Sequence, residues 1–375
     1  MFNKVVWSLS FVCFAMSTLL SLVGIISIIQ VYFQVSLSAA SFYASSFAGV
    51  LGVSSLVTPV FFSKFEKKKL TIIILTITVF CSLCQFLIHD YFICLVFRLI
   101  PAIGYPIVVS NVLTIVDKID PNDTNKVVLG ISAGSILGLS IVSYLGLTFG
   151  FQMAMVWYFI INLIALILVL LFVPTVEGNK DSVVLQLSRA KSKLFILSLG
   201  YVLAFVIGLS ITYNYIPTYL DNVTHLKPHE LSSVLLLMGL VSLIGTNLAG
   251  YFIMKKPKKL LVLYPIGFVC AIFIVGYFVK FQLFETIGLC IFAIFDGSAY
   301  TIAQYTITSS VRKSPEFANG IFLLISNGGI FTGTMVGCFI IEAIHIYYIF
   351  YGSMMVLILA LPFILLRIKM YPEVT

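Results

Sequence analysis

The chain is written as twelve apolar runs of about twenty residues, separated by short polar punctuation, between Val5 and Ile368. A helix rises 1.5 Å per residue, so ~20 such residues match a ~30 Å hydrocarbon core. A helix also satisfies its own backbone polar groups, which lipid cannot do. The runs place spans at 7–29, 38–62, 70–88, 91–115, 127–149, 152–174, 193–220, 230–254, 260–279, 283–310, 317–342 and 345–367. The pattern predicts an all-α integral membrane protein with 12 transmembrane helices. Composition agrees: 61% hydrophobic residues, 10% charged residues and a mean hydropathy of +1.13 would leave a soluble fold with an insoluble surface.

Charge gives the orientation. With both termini in the cytoplasm, the outer loops keep only Lys227 and Lys280, and Arg98 lies within a span. That leaves 19 of the 22 Lys and Arg residues on the inner side, including Lys64, Lys67, Lys68 and Lys69 after the second span and Arg367 at the end of the twelfth. This is the positive-inside pattern of a multi-pass protein of the cell's inner or plasma membrane, both termini cytoplasmic. The +8 net charge is explained by basic loops facing anionic lipid, so no nucleic-acid partner is expected. The first run follows Lys4 as a signal peptide would. It is longer than a signal core and lacks a convincing small-residue cleavage site, so it is expected to remain as the first span.

The seven cysteines all fall inside spans, and an odd count there argues against a disulfide framework. Cys81 and Cys84 have redox-like spacing but sit in a lipid-embedded helix, where packing is the simpler role. His89, His225, His229 and His345 fall in outer loops or at span ends, with no third ligand near the closest pair. No metal and no cofactor are expected.

The chain is built twice. At an offset near 190, Phe62, Lys68, Lys69 and Leu70 match Phe252, Lys258, Lys259 and Leu260. At an offset near 195, Gly134 and Gly138 match Gly329 and Gly333. Two homologous six-helix bundles follow, at 1–176 and 193–375, joined by a cytoplasmic linker at 177–192. Gly130, Gly134 and Gly138 form a smooth stripe on the fifth helix, and Gly329 and Gly333 repeat it on the eleventh. Such stripes let backbones approach closely, either as static packing or as a sliding contact between halves.

Several segments together resemble the major facilitator superfamily, in particular its small bacterial efflux permeases for sugars, purines and drugs. Ser45 through Pro59 resembles that branch's second helix, which ends in a proline before a basic turn. Thr212 through Leu220 resembles the aromatic end of its seventh helix, and Leu235 through Gly250 its eighth. Asn319-Gly-Ile and Ser326-Asn-Gly-Gly329 resemble its eleventh. The loop carrying Lys64 and Lys67 departs from the family pattern, because Ser63, Lys64, Glu66, Lys67 and Lys68 lack its Asp and Gly. The fifth helix lacks the antiporter proline, and Ser27 and Ile28 stand where many relatives carry Pro and an acid. The resemblance implies a small-molecule substrate, proton coupling and a monomer in the bilayer, with helices one, four, seven and ten lining a central cavity.

The candidate chemistry lies in polar residues that lipid would not tolerate. Arg98 stands two turns into the fourth helix, where an isolated charge costs ~3 kcal/mol or more, so a cavity or partner is expected. Snorkelling to the outer interface is the plainer alternative. Asp296 is the one acid near the middle of any span, a proton or cation carrier unless it is merely capped. Tyr213, Asn214 and Tyr215 face different ways on the seventh helix, so only some of them reach substrate. Gln30, Asn111 and Gln304 complete the list. An aromatic and amide lining suits a modest organic solute.

Other classes fit less well. No Gly-x-x-x-x-Gly-Lys-Ser/Thr loop exists for an ATP-driven pump. A membrane enzyme would need clustered ionisable groups at one interface, and a channel does not explain the doubled halves. The expected function is proton-antiport export of a small organic solute (sugar, nucleobase or drug-like). The alternative is proton-coupled uptake or uniport by the same fold.

Overall fold

The computed structural model describes residues 2–120, 123–178, 192–278, 282–311 and 315–370. These residues are helical throughout apart from short turns and connections. They contain 12 helical spans long and apolar enough to cross a membrane: Asn3–Phe33, Leu37–Thr58, Lys67–Leu87, Tyr91–Ile119, Thr124–Phe149, Phe151–Phe172, Lys193–Asn222, Pro228–Lys255, Pro257–Tyr277, Thr286–Thr308, Ala318–Ala343 and Tyr348–Met370. Most of the expected 177–192 linker lies outside the described residues, as do Lys180, Arg189, Lys191, Lys280, Arg312 and Lys313.

Local chemistry makes these helices self-sufficient. Hydroxyls within spans turn back on the preceding turn, as in Ser45 to Ser41 O at 2.8 Å and Thr78 to Ile74 O at 2.9 Å. A polar side chain is thereby satisfied without a partner helix. Asp90 caps the fourth span by accepting from the Ile93 amide at 2.9 Å, and Ser192 caps the seventh by accepting from Phe195 at 3.1 Å.

The chain divides into two compact units. One comprises Met1–Val183 with Lys227–Ser232, the other Val184–Leu226 with Ser233–Thr375. Within the first unit, span 1 packs on spans 5 and 6, span 3 on spans 4 and 6, and span 2 on span 4. Within the second, span 7 packs on spans 11 and 12, and span 9 on spans 10 and 12. The pairings of spans 1 and 3 recur six spans on, at spans 7 and 9.

The glycine stripes occupy one of these repeated contacts. Gly130, Gly134 and Gly138 lie against Ser10, Phe14, Thr18 and Ser21 of span 1, while Gly329 and Gly333 lie against Val206, Ile207 and Ser210 of span 7. A Cβ at Gly134 would overlap the Phe14 carbonyl. Each stripe is therefore filled by the first span of its own unit.

Two spans expected as continuous helices are broken. Span 1 changes from α to 3-10 over Leu19–Ile25, then resumes. Span 7 ends its first helix at Tyr213 and restarts at Ile216. Pro217 has no N–H to offer the Tyr213 carbonyl, which accounts for the second break. The first contains no proline and is held from outside: Arg98 donates to Leu19 O at 2.6 Å and Ser143 to Gly24 O at 3.3 Å.

Two cations expected in solvated inner segments are buried instead. Lys67 is 5% exposed and its ammonium donates to Ser63 O at 3.1 Å, while its amide holds Val176 O at 2.9 Å. The twelfth span runs on to Met370, which brings Arg367 inside the second unit at 0% exposure. There it donates to Ser198 Oγ at 3.0 Å, Ser309 Oγ at 2.7 Å and Thr306 O at 3.4 Å.

Candidate functional site

In the second unit, polar groups gather on span 10. The backbone around Asp296 is gripped by two neighbouring spans. Span 8 crosses so closely that a Cβ on Gly245 would overlap the Ile294 carbonyl, and one on Gly297 the Ser242 carbonyl. Ser298 donates to Gly245 O at 2.8 Å and Thr246 to Gly297 O at 2.9 Å across that crossing. From span 9, the Tyr264 hydroxyl donates to Phe295 O. The rings of Phe268 and Phe295 stack with centroids 5.7 Å apart, and Phe205 lies 5.4 Å from Tyr264. These contacts fix the backbone on both sides of Asp296.

The Asp296 side chain is half-buried and makes no hydrogen bond or ion pair among the described residues. Within electrostatic reach stand three tyrosines: Tyr213 from span 7, Tyr264 from span 9 and Tyr300 from span 10. A carboxylate among aromatic rings, without a cation, can take up and release a proton or accept hydrogen bonds from a ligand.

In the first unit the polar centre is Arg98, 2% exposed. Besides its bond to Leu19 O, the guanidinium lies over the Phe47 ring, 4.5 Å from the centroid. Tyr43 and Tyr158 are within electrostatic reach. Tyr43 donates to Gln85 Oε1 at 2.8 Å. No ion pair reaches Arg98 among the described residues, and its Nε and the Tyr158 hydroxyl are buried without hydrogen-bond partners. Arg98 is enclosed in its helix bundle rather than extended to an interface.

The other expected site residues separate by what they touch. Of the three on span 7, only Tyr213 joins Asp296. Asn214 donates to Thr334 Oγ1 at 2.6 Å and Tyr215 to Thr334 O at 2.8 Å, so both tie the helix break to span 11. Asn111 is committed to span 3, reaching Thr71 Oγ1 at 3.3 Å and Lys67 O at 3.4 Å. Gln304 donates to Asn319 at 3.2 Å on an exposed face. Gln30 is half-buried, its carbonyl accepting from the Val35 amide at 3.1 Å. Lys64 is exposed. Among the described residues no His, Cys, Asp or Glu group could hold a metal.

Sequence reasoning missed Tyr300, Tyr264, Thr246 and Ser298. Tyr300 lies four residues after Asp296 and so shares its helix face, a spacing that could have revealed it. Nothing in the sequence joins Tyr264 or Thr246 to Asp296, because they arrive from other spans.

Comparison with known proteins agrees with this architecture. Residues 6–314 match the sequence model of the Major Facilitator Superfamily. An uncharacterized MFS-type transporter of Bacillus subtilis, YbcL, is 27% identical over 234 residues, 61% of this chain and 60% of that protein's length. A protein of Helicobacter acinonychis named a probable sugar efflux transporter is 22% identical over 335 residues, 87% of this chain and 85% of that one. The crystal structure of the nucleoside transporter NupG superposes with a TM-score of 0.78 at 18% identity, covering 99% of both chains, a likeness of fold.

Proposed function

We propose that this chain, which belongs to the Major Facilitator Superfamily of transporters and not to an enzyme family, exports a small organic solute from the cell in exchange for protons. It acts as a monomer with both termini cytoplasmic, and the solute is a sugar, a nucleobase or a drug-like molecule.

The observation that carries this reading is Asp296: a carboxylate within a transmembrane span, fixed on both sides by its neighbours, with no hydrogen bond or ion pair among the described residues. A carboxylate kept within a span is costly without a function. Proton binding at Asp296 neutralises it when the site is open to one side, and release to the other side restores the charge. Relatives named as sugar efflux transporters favour export over uptake. Arg98 is the corresponding cation of the first unit. It acts on the break in span 1 and biases the exchange through that helix.

Proteoliposomes preloaded with labelled solute test the direction. An acid-outside pH gradient should speed solute exit. Faster entry under the same gradient would establish proton symport, and indifference to the gradient would establish uniport. Either result removes the antiport reading.

A further inference from the structure

We propose that the first unit carries a binding site for an anionic phospholipid at the end of the bundle where span 1 begins, with Lys4 selecting the charged headgroup. The site involves neither Asp296 nor the transported solute, so it stands independently of the transport reading.

Span 1 is the most buried of the spans, yet Asn3, Lys4 and Trp7 at its start are exposed. With Ser8, and with Phe172 at the end of span 6, they line an open groove of about 330 Å3. Trp7 is 53% exposed, and Lys4 stands three residues before it on the same helix face. The Ser8 hydroxyl is engaged, donating to Lys4 O at 2.8 Å. The Lys4 ammonium and the Asn3 amide are left as the polar groups of the groove.

The charges around it do not cancel. From span 5, Lys126 sets its ammonium 5.9 Å from the centroid of the Trp7 ring, paired with Asp123 at 2.7 Å. That pair is neutral as a whole. Lys4 is the one charged residue of the lining and has no ion pair among the described residues. The groove therefore keeps a positive charge.

An apolar surface leads into this groove. Ile160, Ile164, Ile167 and Leu171 are all exposed along one face of span 6, and Phe172 follows directly. Acyl chains need such a stripe, whereas a soluble phosphate does not. A tryptophan at headgroup level suits any lipid, so the ring alone selects nothing. The uncompensated ammonium beside it does select. It attracts the phosphate of phosphatidylglycerol, while phosphatidylcholine would bring its own cation towards Lys4. An occupied groove ties the start of span 1 to the end of span 6 at the level of the headgroups.

Fluorescence tests this directly, because brominated acyl chains quench a tryptophan that they touch. The chain has two tryptophans, and Trp157→Phe leaves Trp7 as the reporter. The full-length protein in mixed micelles is titrated with phosphatidylglycerol or phosphatidylcholine brominated near the glycerol end of the chains. Half-maximal quenching should need about fivefold less of the anionic lipid, the preference that one lysine near the surface confers. Lys4→Gln should erase this preference and Lys4→Arg should keep it. Lys256→Gln, which removes one exposed charge from the second unit, should also keep it. Excess soluble glycerol phosphate should not relieve the quenching. Thermal unfolding checks each fold. Should Trp157→Phe fail to fold, the difference between the parent protein and Trp7→Phe isolates the same signal.

Equal quenching by the two lipids would overturn the proposal, as would a preference that survives Lys4→Gln. Loss of the preference in Lys256→Gln would reduce it to general surface charge. Relief by glycerol phosphate would give the groove to a soluble phosphate instead of a lipid.

Discussion

Arg98 donates from Nη2 to the carbonyl oxygen of Leu19 at 2.6 Å, placing a buried cation where span 1 passes from α to 3-10 geometry. The bond gives that carbonyl a charge-assisted donor from outside its own helix. It also ties span 4 to the one irregular stretch of span 1.

Replacing this cation should therefore damage transport more than stability. Arg98→Met removes a charge-assisted bond worth ~1.5–3 kcal/mol but also relieves the desolvation of an unpaired charge, and the two largely offset. The thermal midpoint of the purified variant should move little, while both pH-driven transport and counterflow fall about tenfold or more. Arg98→Lys should not rescue either rate, because an ammonium cannot both span the bond to Leu19 and lie flat over Phe47. Parental transport by the Met variant would make Arg98 a packing residue.

The crossing of spans 8 and 10 offers an internal control. Gly245→Ala places a methyl group on the Ile294 carbonyl and must push apart the two helices that hold Asp296. Gly250, one turn further along the same span, has nothing within 4 Å of an added Cβ. Gly245→Ala should destabilise by ~1–3 kcal/mol and abolish transport, whereas Gly250→Ala should be silent in melting and transport assays. Equal behaviour of the two variants would mean that the close approach does not position the site.

Orientation can be read by labelling. Lys227 and Lys256 are both exposed and lie at opposite ends of span 8. A cysteine at position 227 should react with a membrane-impermeant maleimide in intact cells, and one at 256 only after permeabilisation. The seven native cysteines lie within spans, which keeps their background low. The reverse pattern would invert the topology.

The spans were legible because their signal is local: twenty apolar residues announce a membrane helix whatever they pack against. Their ends were legible to within a few residues. The break in span 1 was not, since Leu19–Ile25 contains no proline and depends on Arg98 and Ser143 from distant parts of the chain. The break in span 7 could have been read from Pro217. Burial of Lys67 and Arg367 was also hidden, because a cation at a span end reads as solvated until its partners are known. At the site, Asp296 stood out as an acid in an apolar run, and Tyr213 was found with it. Tyr264 stayed hidden because it arrives from another span, and Thr246 and Ser298 because back-bonding makes an ordinary serine or threonine look self-sufficient in the sequence.

The central claim is that the Asp296 carboxylate carries the coupling proton, and Asp296→Asn in proteoliposomes tests it most directly. The amide keeps the size and hydrogen-bonding capacity of the side chain but has no charge to neutralise. Solute flux is measured twice, once driven by an imposed pH gradient and once as solute counterflow at equal pH. The account predicts that Asp296→Asn loses pH-driven transport and retains counterflow. Transport by Asp296→Asn with parental pH dependence would contradict it and reduce Asp296 to a structural residue.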